Sequence, residues 1–132
     1  MTKILVYADD RTVRRDVRLA LGSRLPGVDQ PIEIIETATE AAALKHLDAG
    51  GIDLAIFDGE ATPHGGMGLA RQIKDEVANC PPVLLMVARP DDAWLATWSG
   101  AEAIVSRPVD PIDLPRAAAA LLVGESALGP RG

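Results

Sequence analysis

Five short runs of apolar residues recur along the chain and alternate with longer amphipathic stretches. The apolar runs are rich in Val, Ile and Leu, and they cover residues 4–8, 32–35, 52–57, 83–87 and 103–105. The stretches between them place apolar residues at helical spacing, and they cover residues 12–25, 39–49, 67–78, 91–99 and 114–123. Gly, Pro, Asp and Asn separate the two kinds of segment, as is typical of turns and helix ends. The pattern therefore predicts a strand followed by a helix, repeated five times.

The predicted strands are apolar on both of their faces, which indicates a sheet that is covered by helices on each side. Strands of this kind that alternate with helices form parallel sheets joined by right-handed crossovers. We therefore predict an α/β fold with a doubly wound, five-stranded parallel sheet.

Pro115 limits where the last helix can begin, because proline is tolerated only near the start of a helix. We place the N-cap of this helix at Asp113 and its first residue at Leu114. Residues 1–123 are predicted to form the domain. Residues 124–132 lack periodicity and are predicted to form a short flexible tail.

The composition narrows the class of protein. With 132 residues, the chain has the length of one domain, and we expect no separate output domain. Hydrophobic residues make up 48% of the chain but aromatic residues only 3%, so Val, Ile, Leu and Ala must fill the core. The net charge of -6 argues against direct nucleic-acid binding, which requires clustered Lys and Arg. We expect a cytoplasmic protein, because the sequence has neither a signal-peptide pattern nor an apolar run of membrane length.

Acidic residues follow the ends of two predicted strands. Asp9 and Asp10 follow the first strand, and Asp58 follows the third. Because ligands bind at the carboxyl ends of the strands in an open parallel sheet, we expect these carboxylates to lie close together at a site. Such a cluster repels itself unless a cation neutralises it, and Mg2+ prefers these hard oxygen ligands. The alternative is that the aspartates only cap helices and form turns.

A combined motif is spread over residues 3–123 and consists of the segments KILVYADD, DLAIFD, PHGGMGLARQIK, PPVLLMVA and GAEAIVSRP. Together these segments resemble the receiver domains of bacterial response regulators. The resemblance implies a CheY-like, flavodoxin-like sheet with strand order 2-1-3-4-5 and helices on both faces. It also implies that Asp58 is the phosphoacceptor, which takes a phosphoryl group from a histidine kinase or a small phosphodonor.

The metal-binding positions of this family are only partly preserved. Alignment with the family's ILVVDDD run places Ala8 in the first acidic position and Asp9 in the second, with Asp10 just outside. The resemblance therefore implies Asp9 and Asp58 as metal ligands, and Asp10 substitutes for the missing carboxylate only if it shifts inward. The backbone carbonyl of Glu60 would complete the site, but it lies in a loop one residue longer than usual. We expect Mg2+ to bind with weakened affinity.

The positions that contact the phosphoryl group or switch conformation in this family are also altered. Ala88 stands where the family has Thr or Ser, and Arg107 stands where it has Lys. Ile104 replaces the usual aromatic residue. Losing one hydroxyl donor to a transferring group costs on the order of 3 kcal/mol, by analogy with oxyanion holes. Arg107 can still pair with phosphate or with Asp58, but a guanidinium is not interchangeable with an ammonium group.

These departures favour an atypical, stand-alone receiver that binds a partner protein with weak or no dependence on phosphorylation. We expect a signalling module without enzymatic activity, as a monomer or homodimer, whose partner is a kinase or a downstream effector. Trp94 and Trp98 share one face of a predicted helix, where they either pack on the sheet or form an exposed interaction surface. The alternative function is a conventional receiver that a histidine kinase phosphorylates on Asp58 with Mg2+. A flavodoxin-like enzyme is disfavoured, because the chain lacks a phosphate-binding loop.

A basic stripe runs along the first predicted helix. Arg11, Arg14, Arg15 and Arg18 recur at helical spacing in the segment RTVRRDVRLALGSRL. Such a stripe is either a solvated helix face or a docking surface. In receivers this helix usually meets the histidine-containing partner, so the resemblance keeps the second interpretation open.

Overall fold

The computed structural model describes residues 1–59, 66–77, 79–88 and 99–124. Nearly all of the predicted helix at residues 91–99 lies outside the described residues, and so do Glu60, Trp94, Trp98 and the tail beyond Gly124. The roles assigned to those residues stay predictions.

Five strands and four helices make up the described part of the chain. The strands are β1 (Thr2–Tyr7), β2 (Ile32–Thr37), β3 (Leu54–Asp58), β4 (Val83–Val87) and β5 (Ala103–Ser106). The helices are α1 (Arg11–Leu21), α2 (Glu40–Ala49), α3 (Gly66–Glu76) and α4 (Asp113–Leu122). The strands form one parallel sheet in the order β2-β1-β3-β4-β5, which confirms the predicted fold. None of the described helices is long and apolar enough to cross a membrane.

Apolar side chains fill a core on each face of the sheet. On one face, α1 and α4 pack on β1, β3 and β4, through residues that include Val17, Leu21, Leu114, Ile4 and Ile56. On the opposite face, α2 and α3 pack on the same strands, through residues that include Leu47, Ile73, Leu5, Phe57 and Leu85. Both β3 and β4 are buried at every position, since helices cover both of their faces.

Helix α1 ends at Leu21, earlier than the predicted end at Leu25. Gly22 stops the helix with a φ of 65°, a conformation that glycine adopts without steric cost, and its N–H donates to the carbonyl of Arg18 at 3.0 Å. Leu25 is nevertheless buried in the same core as α1. The apolar side chain of Leu25 extended the helical pattern in the sequence, although Leu25 belongs to the loop after α1.

The prediction that Asp113 is the N-cap of the last helix is wrong. Asp113 is already helical, the N-cap position falls on Ile112, which makes no side-chain capping bond, and Asp110 supplies the side-chain acceptor at this helix start. The Asp110 carboxylate accepts the N–H of Ile112 at 2.7 Å and the N–H of Asp113 at 2.9 Å. These two bonds, with that from Asp113 the larger cause, lower the pKa of Asp110 from its ordinary value. The helical turn therefore starts before Pro115 and accommodates it near the helix start, where proline is tolerated.

Candidate functional site

The carboxyl ends of β1, β3, β4 and β5 bring the predicted site residues to one edge of the sheet. Asp58 is the last residue of β3, and only 1% of it is exposed. Tyr7 pairs with Phe57 in the register of β1 and β3, so the residues that follow β1 come beside Asp58. Asp58 pairs with Met86 of β4, one residue before the end of that strand. Burial of the carboxylate at this junction makes a compensating charge necessary.

Arg107 supplies that charge from the end of β5. Its Nη1 lies 3.3 Å from Oδ1 of Asp58, and 27% of the Arg107 side chain is exposed. The Arg107 backbone N–H donates to the carbonyl of Val87 at 2.8 Å, which extends the pairing of β4 and β5 and fixes where the guanidinium begins. The peptide bond between Arg107 and Pro108 is cis. The structure thus brings together the predicted phosphoacceptor and the predicted phosphate contact.

The residues after β1 have divided roles. Ala8 is fully buried and carries no carboxylate. Asp9 is exposed at the strand end. Asp10 is the N-cap of α1, and its Oδ1 accepts the N–H of Thr12 at 2.8 Å. The capping interpretation therefore describes Asp10, whereas Asp9 is an exposed carboxylate directly after β1.

Two further predicted positions lie on β5 and directly after β4. Ala88 directly follows β4, is exposed and has no hydroxyl group to donate. Ile104 lies on β5, is half-buried and packs against the core cluster that contains Phe57 and Leu85. The branched apolar side chain of Ile104 is therefore part of the packing and offers no polar group.

Tyr7 is a feature of this edge that the sequence analysis missed. Its ring is fully buried and meets Phe57 edge-on, with ring centroids 6.0 Å apart and an interplanar angle of 88°. Burial raises the pKa of Tyr7, and the charges of Glu40, Asp9 and Asp58 raise it further. The carboxylates of Glu40, Asp9 and Asp58 therefore lie close enough to Tyr7 to disfavour its ionisation. An aromatic residue directly after the aliphatic run Ile4, Leu5 and Val6 was the available signal.

The basic stripe of α1 divides into paired and exposed side chains. Arg14 Nη1 donates to the carbonyl of Ala8 at 2.6 Å, and Arg14 Nε lies 3.6 Å from Oε1 of Glu36. Arg18 Nη1 lies 3.2 Å from the other oxygen of the same carboxylate. Arg15 is exposed and pairs with its neighbour in sequence, Asp16. Arg14 is therefore a mostly buried part of the strand-end structure and not a solvated side chain.

Solved structures of response regulators share this architecture. The receiver domain of a Francisella response regulator superposes with a TM-score of 0.78 at 18% identity, and the match covers 93% of this chain and 98% of that one. A Thermotoga maritima response regulator in complex with Mg2+-BeF gives a TM-score of 0.75 at 24% identity, over 92% of this chain and 99% of that one. These similarities establish the fold.

Relatives in sequence decide the family. The uncharacterized response regulatory proteins of two Mycobacterium tuberculosis strains are each 54% identical to the chain over 120 residues, which cover 91% of this chain and 90% of each relative. The chain belongs to the response regulator receiver family. No protein-family model matches this receiver. Membership places the receiver in two-component signalling.

The carboxylates of Asp9 and Asp58 are of a kind that fits Mg2+. Asp9 and Asp58 supply hard oxygen ligands, and Mg2+ keeps several waters when few carboxylates bind it. Within the described ranges, no group of three or more His, Cys, Asp or Glu side chains is arranged to hold a metal. One oxygen of Asp58 already lies near Arg107, and Asp10 caps α1. The donor set is therefore small, and Glu60 lies outside the described residues.

Proposed function

We propose that this receiver is an atypical signalling module that binds a partner protein with weak or no dependence on phosphorylation of Asp58, and that it is not an enzyme. The observation that carries the proposal is the state of Asp58. The carboxylate is buried and lies against Arg107, while Ala8 and Ala88 beside it lack the groups that would assist a transferred phosphoryl group.

Charge balance at Asp58 is the first support for this proposal. The guanidinium of Arg107 lies 3.3 Å from the buried carboxylate, so the site has its own counter-charge. An incoming Mg2+ ion has to share Asp58 with this guanidinium, and like charges at one site repel each other. With Ala8 in the first acidic position, Asp9 would be the carboxylate that holds the ion from the side of β1. We therefore expect weaker Mg2+ binding than a site with two acidic residues after β1 would give.

The missing hydroxyl at Ala88 is the second support. During phosphoryl transfer, negative charge is spread over the oxygens of the transferred group, and fixed donors lower the barrier by stabilising it. Removing one such donor costs on the order of 3 kcal/mol. A bound Mg2+ ion would itself neutralise part of this charge. Asp9 and Asp58 would hold the ion.

The lack of a polar relay through β5 is the third support. Ile104 packs into the core on the face of α2 and α3, and Ala88 has no hydroxyl that could move toward a phosphoryl group. A conformational change needs groups that interact differently with the two states. Neither residue provides a polar group for such a difference. We propose that the output is binding of a kinase or a downstream effector by a surface that already exists in the unphosphorylated receiver.

The net charge of -6 makes direct nucleic-acid binding a poor candidate for the output. We propose that the receiver works in the cytoplasm as a monomer or homodimer. Trp94 and Trp98 stay the predicted interaction residues, because tryptophan is enriched at the centres of binding surfaces.

A conventional phosphoacceptor is the second candidate, and the position of Arg107 favours it. A guanidinium pairs well with phosphate oxygens, and Arg107 already lies at the carboxylate that would be phosphorylated. In that case Arg107 would replace the lysine of the family, and Mg2+ would bind at Asp9 and Asp58.

Partner capture from the native host separates the two functions. The bait is the wild-type receiver or the Asp58→Asn variant, which keeps the shape of the side chain and removes its charge and its phosphoacceptor oxygen. Each bait is used before and after treatment with Mg2+ and acetyl phosphate. The proposal predicts that the same partner is retained at similar yield in all four samples. Capture that requires both Asp58 and the phosphodonor would contradict it and support the conventional receiver.

A further inference from the structure

The backbone around Asp9 is anchored on both sides. Before Asp9, the carbonyl of Ala8 accepts a hydrogen bond from Arg14 Nη1 at 2.6 Å. After it, the carboxylate of Asp10 accepts the N–H of Thr12 at 2.8 Å, and the carbonyl of Asp10 accepts the N–H of Arg14 at 3.2 Å. Arg14 therefore contacts the residue on each side of Asp9, with its side chain on one and its backbone on the other.

The Arg14 side chain is itself held in place. Only 16% of it is exposed, and its Nε lies 3.6 Å from Oε1 of Glu36 on the edge strand β2. Arg18 occupies the other oxygen of Glu36 at 3.2 Å. A planar guanidinium that uses one nitrogen for a carboxylate and another for a carbonyl has little rotational freedom left. The fork of Arg14 thus connects β2 to the end of β1.

We propose that Arg14 is a positioning residue for Asp9, and that Glu36 holds Arg14 in the geometry this requires. Asp9 lies between Ala8 and Asp10, and the Arg14 contacts with both of these residues help to set the backbone from which the Asp9 carboxylate projects. Groups that orient a metal ligand without touching the metal commonly control metal affinity. The inference rests on the proposed role of Asp9 as the carboxylate that faces a cation.

The positive charge of Arg14 is expected to weaken Mg2+ binding, whereas its positioning of Asp9 is expected to strengthen it. A guanidinium near Asp9 repels Mg2+, so its removal alone would tighten cation binding. Substitution by lysine separates the two effects, because lysine keeps the charge but cannot contact Glu36 and the carbonyl of Ala8 with one planar group. The variants are therefore Arg14→Lys and Glu36→Gln. Arg15→Lys is the matched control, since Arg15 is an exposed neighbour on the same helix.

The first measurement is NMR of the metal-free receiver. A hydrogen bond to a carbonyl shifts its carbon-13 signal downfield, so loss of the Arg14 contact is expected to move the Ala8 carbonyl signal upfield. We expect this shift in Arg14→Lys, a smaller one in Glu36→Gln and none in Arg15→Lys. An Ala8 signal that does not move in Arg14→Lys would overturn the proposal.

The second measurement is titration of each protein with MgCl2, followed through the Asp9 and Asp58 amide signals. We expect Arg14→Lys to bind Mg2+ about 10-fold more weakly than the wild type, as found for groups that orient metal ligands. Glu36→Gln is expected to show a smaller loss, and Arg15→Lys none. Unchanged affinity in Arg14→Lys would overturn the proposal, and so would a wild-type receiver without any response to Mg2+. Failure of the proposed function would give a different result from failure of the Arg14 proposal, because it would appear as efficient phosphorylation of the wild type.

Discussion

The interior of the sheet and its carboxyl edge differ in what their residues must satisfy. In the interior, β3 and β4 are buried at every position between two layers of helices. At the edge stand Ala8, Ala88 and Ile104, where the family resemblance leads us to expect acidic, hydroxyl and aromatic side chains. Packing requires apolar volume, which many residues supply, whereas phosphoryl transfer requires particular donors at particular places. The comparison shows that one set of residues identifies the fold and another decides the chemistry.

Stability should depend on the interior far more than on the edge. Leu84 is fully buried on β4, and Leu84→Ala is expected to lower the free energy of unfolding by about 2–5 kcal/mol through loss of burial and formation of a cavity. Ala88→Val at the exposed end of the same strand should change it by less than about 0.5 kcal/mol. Urea denaturation of the three proteins measures both values. Similar losses in the two variants would remove the distinction between the regions.

Restoring a donor at the edge should recover phosphorylation. Ala88→Thr adds a hydroxyl beside Asp58, and we expect the rate of modification by acetyl phosphate with Mg2+ to rise roughly 100-fold. Ala88→Val has nearly the same shape without the hydroxyl and is the matched control. Rates are followed by intact mass over time. Equal rates for Thr and Val at this position would show that the missing donor does not limit the chemistry.

The pair of Arg107 and Asp58 belongs to both regions, because a buried carboxylate meets a partly exposed guanidinium. Arg107→Met leaves Asp58 without this counter-charge, and we expect a loss of about 1–3 kcal/mol in the free energy of unfolding. Asp58→Asn in the same background should recover most of the loss, since the buried charge is gone. Urea denaturation of the double-mutant cycle gives the coupling of the two residues. Strictly additive effects would mean that the contact contributes nothing.

The smallest expected effect concerns the cap of α4. Hydrogen bonds lower the pKa of Asp110 in the folded receiver, so the unfolded state binds the proton more tightly. The contribution of this cap is therefore present above the unfolded pKa and is lost as the pH falls through the folded pKa. Asp110→Asn keeps an acceptor oxygen but does not titrate. The stability difference between wild type and Asp110→Asn should shrink on acidification from neutral pH, whereas a constant difference would contradict this role.

Strands and helices could be predicted because their signals are local. Five apolar runs marked all five strands, and the order of the sheet followed from alternation with helices and from the family resemblance. The wrong predictions concern helix ends, each of which depends on the conformation of a single turn. Gly22 stopped α1 although Leu25 continued its apolar pattern, and Asp110 replaced Asp113 as the cap of α4. Both require knowledge of how the backbone turns, which periodicity does not contain.

The positions of site residues could be predicted where they depend on strand ends. They could not be predicted where they depend on tertiary contacts. Asp58 ends β3, and Arg107 directly follows β5 in the same parallel sheet. The order of the strands therefore placed both residues at one edge, where their side chains meet. The contacts of Arg14 with Ala8 and Glu36 join three elements, and in the sequence Arg14 appears only as one of four arginines. Its separate role depends on burial that the stripe does not reveal.

The phosphorylation state of Asp58 can be read from the intact mass of the wild-type receiver after incubation with Mg2+ and acetyl phosphate. We expect most of the protein to stay unmodified, because the edge lacks the donors that would stabilise the transferred group. Asp58→Asn serves as the background for modification at other sites. One phosphoryl group per molecule, mapped to Asp58 and formed only with Mg2+, would contradict the account and establish a conventional receiver.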